Sequence, residues 1–357
     1  MTDHSADHLP PDRCPGLLRP HLAADGALVR VRAPGGRLPD GGLRLLAAAS
    51  RELADGDVHL TSRGNLQVRG VVVDERGGVP DGLIESVAKA GFLPSATHER
   101  VRNIVASPLS GLIGGSADVR PLVGALDAAL CGEPALADLP GRFLFGVDDG
   151  RGDVTGLRCD LSARALDPER MRIGIGALRG PVVPIADAVQ ALVDAALRFV
   201  AIRETRWNVR QLPGEGRELG GTVPLPGPDP YRMPYGVLDG AVSVRVPLGI
   251  LTPSMVAALP DSGVIVTPWR GLVLPADTDV EALTVAGFDA AEDSPWSRVS
   301  ACTGAPGCSL ARSDTREAAR RTVAGPAPSR HVHIVGCERA CGAPYFPHTL
   351  VVARSSM

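Results

Sequence analysis

Four cysteines near the C-terminus have the residue type and spacing to hold an inorganic centre: Cys302-x5-Cys308, a 28-residue interval, then Cys337-x3-Cys341. Thiolates are soft ligands that suit iron–sulfur clusters or zinc. Zinc knuckles usually close on a tighter C-x2-C pair, so the wider spacing favours a four-iron cluster, with zinc or unliganded thiols as the alternatives. Gly304, Pro306 and Gly307 inside the first loop, and Gly336 and Gly342 beside the second pair, permit tight turns that aim backbone N–H groups at cluster sulfurs. The remaining cysteines, Cys14, Cys131 and Cys159, are scattered and read as small apolar fillers or neutral thiols. An odd total of seven, with no apolar signal core ahead of them, argues against a disulfide framework.

The cationic side chains are nearly all arginine, since Lys89 is the single lysine. Any anion held by a side-chain cation is therefore held by a guanidinium fork, which suits carboxylates. Arg203, Arg206 and Arg210 follow a helix and read as charges at its C-terminus. Arg63, Arg69, Arg102 and Arg142 lie in segments of stronger pattern, and Arg270 sits in the repeat of the Arg63 strand. Among the eight histidines, His331-x-His333 could contribute to a 2-His-1-carboxylate iron site. The pair reads equally as two strand residues pointing one way, and His59 reads as structural.

The elements that must position these groups show an internal duplication. Val31-Arg32-Ala33-Pro34-Gly35-Gly36-Arg37-Leu38 matches Val244-Arg245-Val246-Pro247-Leu248-Gly249-Ile250-Leu251. Helical stretches follow at 43–53 and 253–259. Val58 to Gly64 then faces Val264 to Gly271, each continuing as a strand, and a second helix ends at Ala90-Gly91-Phe92 or Ala286-Gly287-Phe288. The order β-α-β-β-α is ferredoxin-like. The fold expected is α/β (α+β): two ferredoxin-like half-domains plus two α/β modules, the C-terminal one truncated. The expected boundaries are a loose polar tail at 1–13, copy 1 at 14–98, a first module at 99–213, a Gly/Pro-rich linker at 214–236, copy 2 at 237–298 and a cysteine-bearing module at 299–357. In the first module, strands are expected at 143–147 and 171–175 and a helix at 186–202.

A net charge of −3 gives no footing for nucleic acid. No run of about 18 apolar residues suggests a membrane span, and the chain reads as cytoplasmic.

These motifs resemble the nitrite and sulfite reductase superfamily. C-x5-C…C-x3-C follows a duplicated ferredoxin-like half; Thr61-Ser62-Arg63-x-x-Leu66-Gln67 is similar to its T-x-R-x-x-[FL]-Q strand; Arg102-Asn103-Ile104-Val105 and Leu139-Pro140-Gly141-Arg142-Phe143 are similar to its R-N-V and L-P-x-K-F segments. Within it, Arg63-Gly64-Asn65-Leu66-Gln67-Val68-Arg69-Gly70 and Cys302-x-Gly304-x-Pro306-x-Cys308 most resemble the precorrin-3B synthase family. The resemblance implies an oxygen-dependent hydroxylation and γ-lactone closure that converts precorrin-3A to precorrin-3B in cobalamin biosynthesis. It implies a [4Fe-4S] cluster on Cys302, Cys308, Cys337 and Cys341, an additional non-haem iron, and NADH as electron source through a partner reductase or ferredoxin. It implies substrate carboxylates on Arg63, Arg102 and Arg142, oriented by Asn65 and Gln67. A sirohaem-dependent sulfite or nitrite reductase is the alternative. Against it, the second lysine of that superfamily's L-P-x-K-F-K segment is replaced by Leu144, which removes a cation that a small-oxyanion site needs.

Overall fold

The computed structural model of the chain describes residues 12, 14–227, 231–344 and 346–353. It divides into two compact units, one built on Thr97–Tyr231 together with the segment around Cys14, the other on Pro15–Ala96 and Arg232–Met357. The tail expected at 1–13 lies, apart from Asp12, outside the described residues.

The second unit contains both ferredoxin-like copies. Copy 1 runs through strand Gly26–Val31, helix Gly42–Leu53, strands Val58–Leu60 and Leu66–Val71, and helix Asp81–Lys89; copy 2 runs through Ala241–Arg245, Pro253–Ala257, Ile265–Val266, Gly271–Leu274 and Val280–Ala286. Each gains a short strand that hairpins onto its first, His21–Ala23 in copy 1 and Gly236–Leu238 in copy 2. The first helix buries Leu43, Leu46, Ala47 and Ser50, the i, i+3, i+4, i+7 stripe of a one-sided helix.

The copies exchange edges. Ile250 and Leu251 pair antiparallel with His59 and Val58, and Arg37 bridges Ile265. In the repeat alignment Arg37 corresponds to Ile250 and His59 to Ile265, so the same contact is made twice about a pseudo-two-fold axis. Val29, Leu46, Leu66, Leu83, Val244, Leu251, Leu272 and Leu283 then share one continuous core. A face left open by each copy alone is closed by the other.

The C-terminal module belongs to this unit. It is a parallel sheet of Val299–Ala301, Val332–Val335 and Thr349–Val352 with one helix, Thr315–Ala324. Asp314 caps that helix by accepting from Glu317 N at 2.9 Å.

The first unit is a five-stranded sheet in the order Ile104–Ala106, Phe145–Asp148, Leu161–Ala165, Arg170–Ile175, Leu178–Pro184, parallel over its first three strands and antiparallel after. Helices Arg120–Gly132 and Ala188–Ile202 pack on it. Phe143, Phe145 and Phe199 make its aromatic centre, with ring centroids 5.2 and 4.9 Å apart. The stretch expected as a linker is folded over its first part: Leu219 is buried in this core, and Leu225 N donates to Ala177 O at 2.8 Å. Its Gly and Pro content marks tight turns there, not a free connection.

Candidate functional site

Two adjacent parallel strands deliver one cysteine of each pair. Ala301 pairs with Ile334, and Cys302 N extends the ladder by donating to Ile334 O at 2.9 Å. Cys302 and Cys337 therefore leave the carboxyl-end side of one sheet, where loops of parallel sheets commonly build sites. Cys308 and Cys341 come from the loops that follow. Glycine is required where those loops pack. A Cβ on Gly304 would lie 2.7 Å from Thr315 N, one on Gly307 2.8 Å from Asp25 Oδ2, and one on Gly336 2.6 Å from Ala311 Cβ. Gly336 N donates to Cys302 Sγ at 3.4 Å.

All seven cysteines are thiols. Desolvation pushes the Cys341 thiol up, the neighbouring Cys302, Cys337 and Cys308 add to the rise, and Arg339 offsets part of it. As thiolates, Cys302, Cys308 and Cys337 would each repel a charge on Cys341, and a cationic iron–sulfur core would relieve that repulsion. The donor set, all soft and with a backbone N–H directed at one sulfur, fits a cluster.

Arg69 ties this site to copy 1. Its guanidinium forks onto Asp25 through two 3.0 Å bonds and donates to Gly307 O, within the first cysteine loop, at 2.8 Å. It is 5% exposed, so the link is shielded from water. The sequence placed Arg69 in the motif without assigning it a role; the carbonyl it meets lies more than 200 positions away.

The residues expected to hold substrate fall in both units. Arg63 lies half-buried in the turn between strands Val58–Leu60 and Leu66–Val71, its N donating to Thr61 Oγ1 at 3.4 Å. Asn65 is fully buried, and its Oδ1 accepts from Ala33 N at 3.0 Å. That oxygen therefore braces the turn of the repeat, a correction to its expected orienting role. Gln67 lies half-buried mid-strand, between Arg30 and His59 in register. In the other unit, Arg102 is 4% exposed and forks onto Asp127 through two 2.7 Å bonds. Its guanidinium is committed to an internal carboxylate, contrary to the expected carboxylate cleft. Arg142 is exposed and stacks over Trp207 at 5.3 Å. Leu144 is buried with Val105, Val154 and Cys159.

The histidines resolve differently from a metal pair. His333 Nε2 lies 3.1 Å from Cys341 O and its Nδ1 2.9 Å from Ser300 Oγ, which also meets His331 Nε2 at 2.8 Å. Desolvation pulls His333 down to about 4. The neutral ring must donate from Nε2 to the carbonyl and accept from Ser300 at Nδ1, which leaves no lone pair for iron. His59 is structural, its Nε2 2.8 Å from Asp55.

Sequence reading missed a buried acidic group in the first unit. Asp148, Asp149 and Asp153 bring carboxylate oxygens within 4.8 Å of one another, the one grouping of three metal-capable side chains that close among the described residues. Arg151 pairs with Asp149 at 2.7 Å, and desolvation pushes Asp153 up to about 7. The signal was Asp148-Asp149-Gly150-x-Gly152-Asp153 after an apolar strand, which reads on its own as a turn.

Comparison with known proteins fits this architecture. Residues 21–85 match the nitrite/sulfite reductase ferredoxin-like half domain. A precorrin-3B synthase of Sinorhizobium is 27% identical over 93% of this chain and 78% of its own length. A ferredoxin–nitrite reductase of Leptolyngbya laminosa is 32% identical over 34% of this chain and 24% of its own. The solved structure of the Mycobacterium tuberculosis NirA protein superposes with a TM-score of 0.68 at 20% identity, over 88% of this chain and 68% of that one. The chain thus shares the fold of that solved structure, matches the nitrite/sulfite reductase ferredoxin-like half domain at residues 21–85, and resembles precorrin-3B synthase along most of its length.

Proposed function

We propose that the chain is an oxidoreductase of cobalamin biosynthesis that converts precorrin-3A to precorrin-3B. The observation that carries this reading is the similarity to precorrin-3B synthase over 93% of the chain. A [4Fe-4S] cluster on Cys302, Cys308, Cys337 and Cys341 would supply single electrons when bound. The reaction is an oxygen-dependent hydroxylation with closure of a ring-A acetate to a γ-lactone. Its electrons would derive from NADH through a reductase or ferredoxin; the reading also implies an additional non-haem iron for the oxygen chemistry, to which neither His331 nor His333 is assigned. The chain's own residues bind and orient. Arg63 and Arg142 offer guanidinium forks to the acetate and propionate carboxylates of the macrocycle. Gln67 supplies an amide at the Arg63 strand, whose turn Asn65 braces through Ala33 N, while in the other unit Arg102 is held by Asp127. His333, kept neutral, fixes the Cys341 carbonyl and with it the second cysteine loop. The protein acts in the cytoplasm; among the described residues no helix is long and apolar enough to cross a membrane.

Leu144 weighs against the sirohaem-dependent sulfite or nitrite reductase reading. It is 1% exposed in an apolar cluster, so that position offers no charge to a small oxyanion. The test is to incubate anaerobically reconstituted protein with precorrin-3A, reductant and labelled dioxygen, and to follow the product by mass spectrometry. The expected result is one labelled oxygen atom in the macrocycle. Unchanged precorrin with sulfite or nitrite consumed in a parallel assay would overturn it. Cys308→Ala should lose the iron and the turnover together, and a variant that retains full iron content would remove that ligand assignment.

A further inference from the structure

Arg270 occupies a position that an arginine should avoid. Thr267 N donates to Gly271 O at 2.9 Å and Arg270 N to Thr267 O at 3.1 Å; in copy 1, Thr61 N donates to Asn65 O at 2.9 Å and Gly64 N to Thr61 O at 3.2 Å. The hydrogen bonds make Arg270 the counterpart of Gly64, not of Arg63. Both are left-handed, with φ of 57° and 65°. Glycine takes that conformation without cost, whereas an L-residue is strained there by about 1–2 kcal/mol. Local strain of this kind persists where the side chain is needed.

The side chain has no carboxylate partner among the described residues. Among the described residues, the guanidinium of Arg270 makes no ion pair or hydrogen bond, and no carboxylate acts on it. It is half-buried, and burial pulls its pKa down with nothing opposing. Its stem lies across Gly249, where a Cβ would come 2.9 Å from Arg270 Cδ. Its Nη2 reaches the hydrogen-bearing face of Gly342, 3.3 Å from where a Cβ would stand, next to exposed Cys341. The titratable groups that share its surroundings are His331 and His333, with His348 beside them. A cationic and imidazole-lined surface next to the cysteine loop, with no carboxylate among the described residues to neutralise it, suits an anion.

We propose that Arg270 is a binding residue for a carboxylate of the tetrapyrrole substrate, presented beside the Cys337–Cys341 loop by a left-handed turn that copy 1 builds with glycine. The inference rests on the tetrapyrrole reading above. Bidentate guanidinium–carboxylate contacts are directional, so the fixed stem would orient one edge of the macrocycle against that loop.

The probe is uroporphyrin III, a stable octacarboxylate, titrated by fluorescence quenching into reconstituted protein, with its octamethyl ester as control. Wild type is expected to bind the acid and not the ester. Arg270→Gln should weaken binding at least about tenfold, as expected for a charged hydrogen bond, with circular dichroism and iron content unchanged. Arg270→Lys, which keeps charge without the fork, should fall between. Equal affinity of wild type and Arg270→Gln overturns the proposal and leaves the tetrapyrrole reading standing. A shift in cluster reduction potential without a change in uroporphyrin affinity also overturns it, and makes the cluster the anion that Arg270 serves. Absence of binding by wild type overturns both proposal and reading.

Discussion

The two ferredoxin-like copies share a backbone and differ in what they do with it. At three matched left-handed positions copy 1 uses Gly35, Gly36 and Gly64, with φ of 63°, 74° and 65°; copy 2 uses Leu248, Gly249 and Arg270, with φ of 57°, 71° and 57°. Copy 2 accepts strain at two of the three, and both side chains turn to the C-terminal module. Leu248 packs on the small core of Val299, Ala319 and Ile334, and Arg270 reaches the second cysteine loop. Copy 1 meets the same module through Arg69, whose counterpart in copy 2 is Pro275. Duplication therefore supplied one frame, and divergence assigned each copy a different loop of the cysteine site. Glycine remained in both copies where geometry left no choice.

Four substitutions would break or sharpen that contrast. The largest effect is expected at Gly36, where the added Cβ of Gly36→Ala would run into the Val266 carbonyl in addition to the left-handed strain. A loss above about 4 kcal/mol is expected by chemical denaturation; a loss under about 1 kcal/mol would mean the shared turn is not a constraint. Arg69→Gln removes the fork to Asp25 and the bond to Gly307 O. It should cost about 2 kcal/mol and lower the iron bound per chain after reconstitution. Iron loading equal to wild type would show that the first cysteine loop holds its shape without copy 1. Gly64→Ala, whose Cβ would come no nearer to any neighbour than 3.3 Å, at the Val266 carbonyl, should cost about 1–2 kcal/mol. The smallest change is expected from the reverse exchange. Arg270→Gly relieves the left-handed strain and should leave stability equal or raise it by up to about 1 kcal/mol, while weakening tetrapyrrole binding. A variant destabilised by more than that would assign Arg270 a structural role and erase the contrast between the copies.

The two α/β modules show the same division between packing and chemistry. The first closes on Phe143, Phe145 and Phe199 over five strands. The C-terminal one has three strands, and in its last strand Leu350, Val351 and Val352 stay 40–48% exposed. A module that thin gains little from burial, and the proposed ligation by its four thiols would add stability that burial does not supply.

Much of this was open to reading from residue order alone. The spacing of Cys302, Cys308, Cys337 and Cys341 marked a candidate soft-ligand site, because covalent proximity within each pair confines two sulfurs to one loop. The repeat declared the ferredoxin-like order, because strand and helix periods are local. Partnership across the chain was not open in that way. That Asn65 braces Ala33, that Arg102 is neutralised by Asp127, and that Ile250 completes the sheet of copy 1 depend on which groups face one another after folding. An arginine looks the same in sequence whether a carboxylate stands opposite or not. Only the packed chain decides that Arg102 is satisfied and that Arg270, on a turn its twin builds with glycine, is left facing the cysteine loop with no carboxylate among the described residues to oppose its charge.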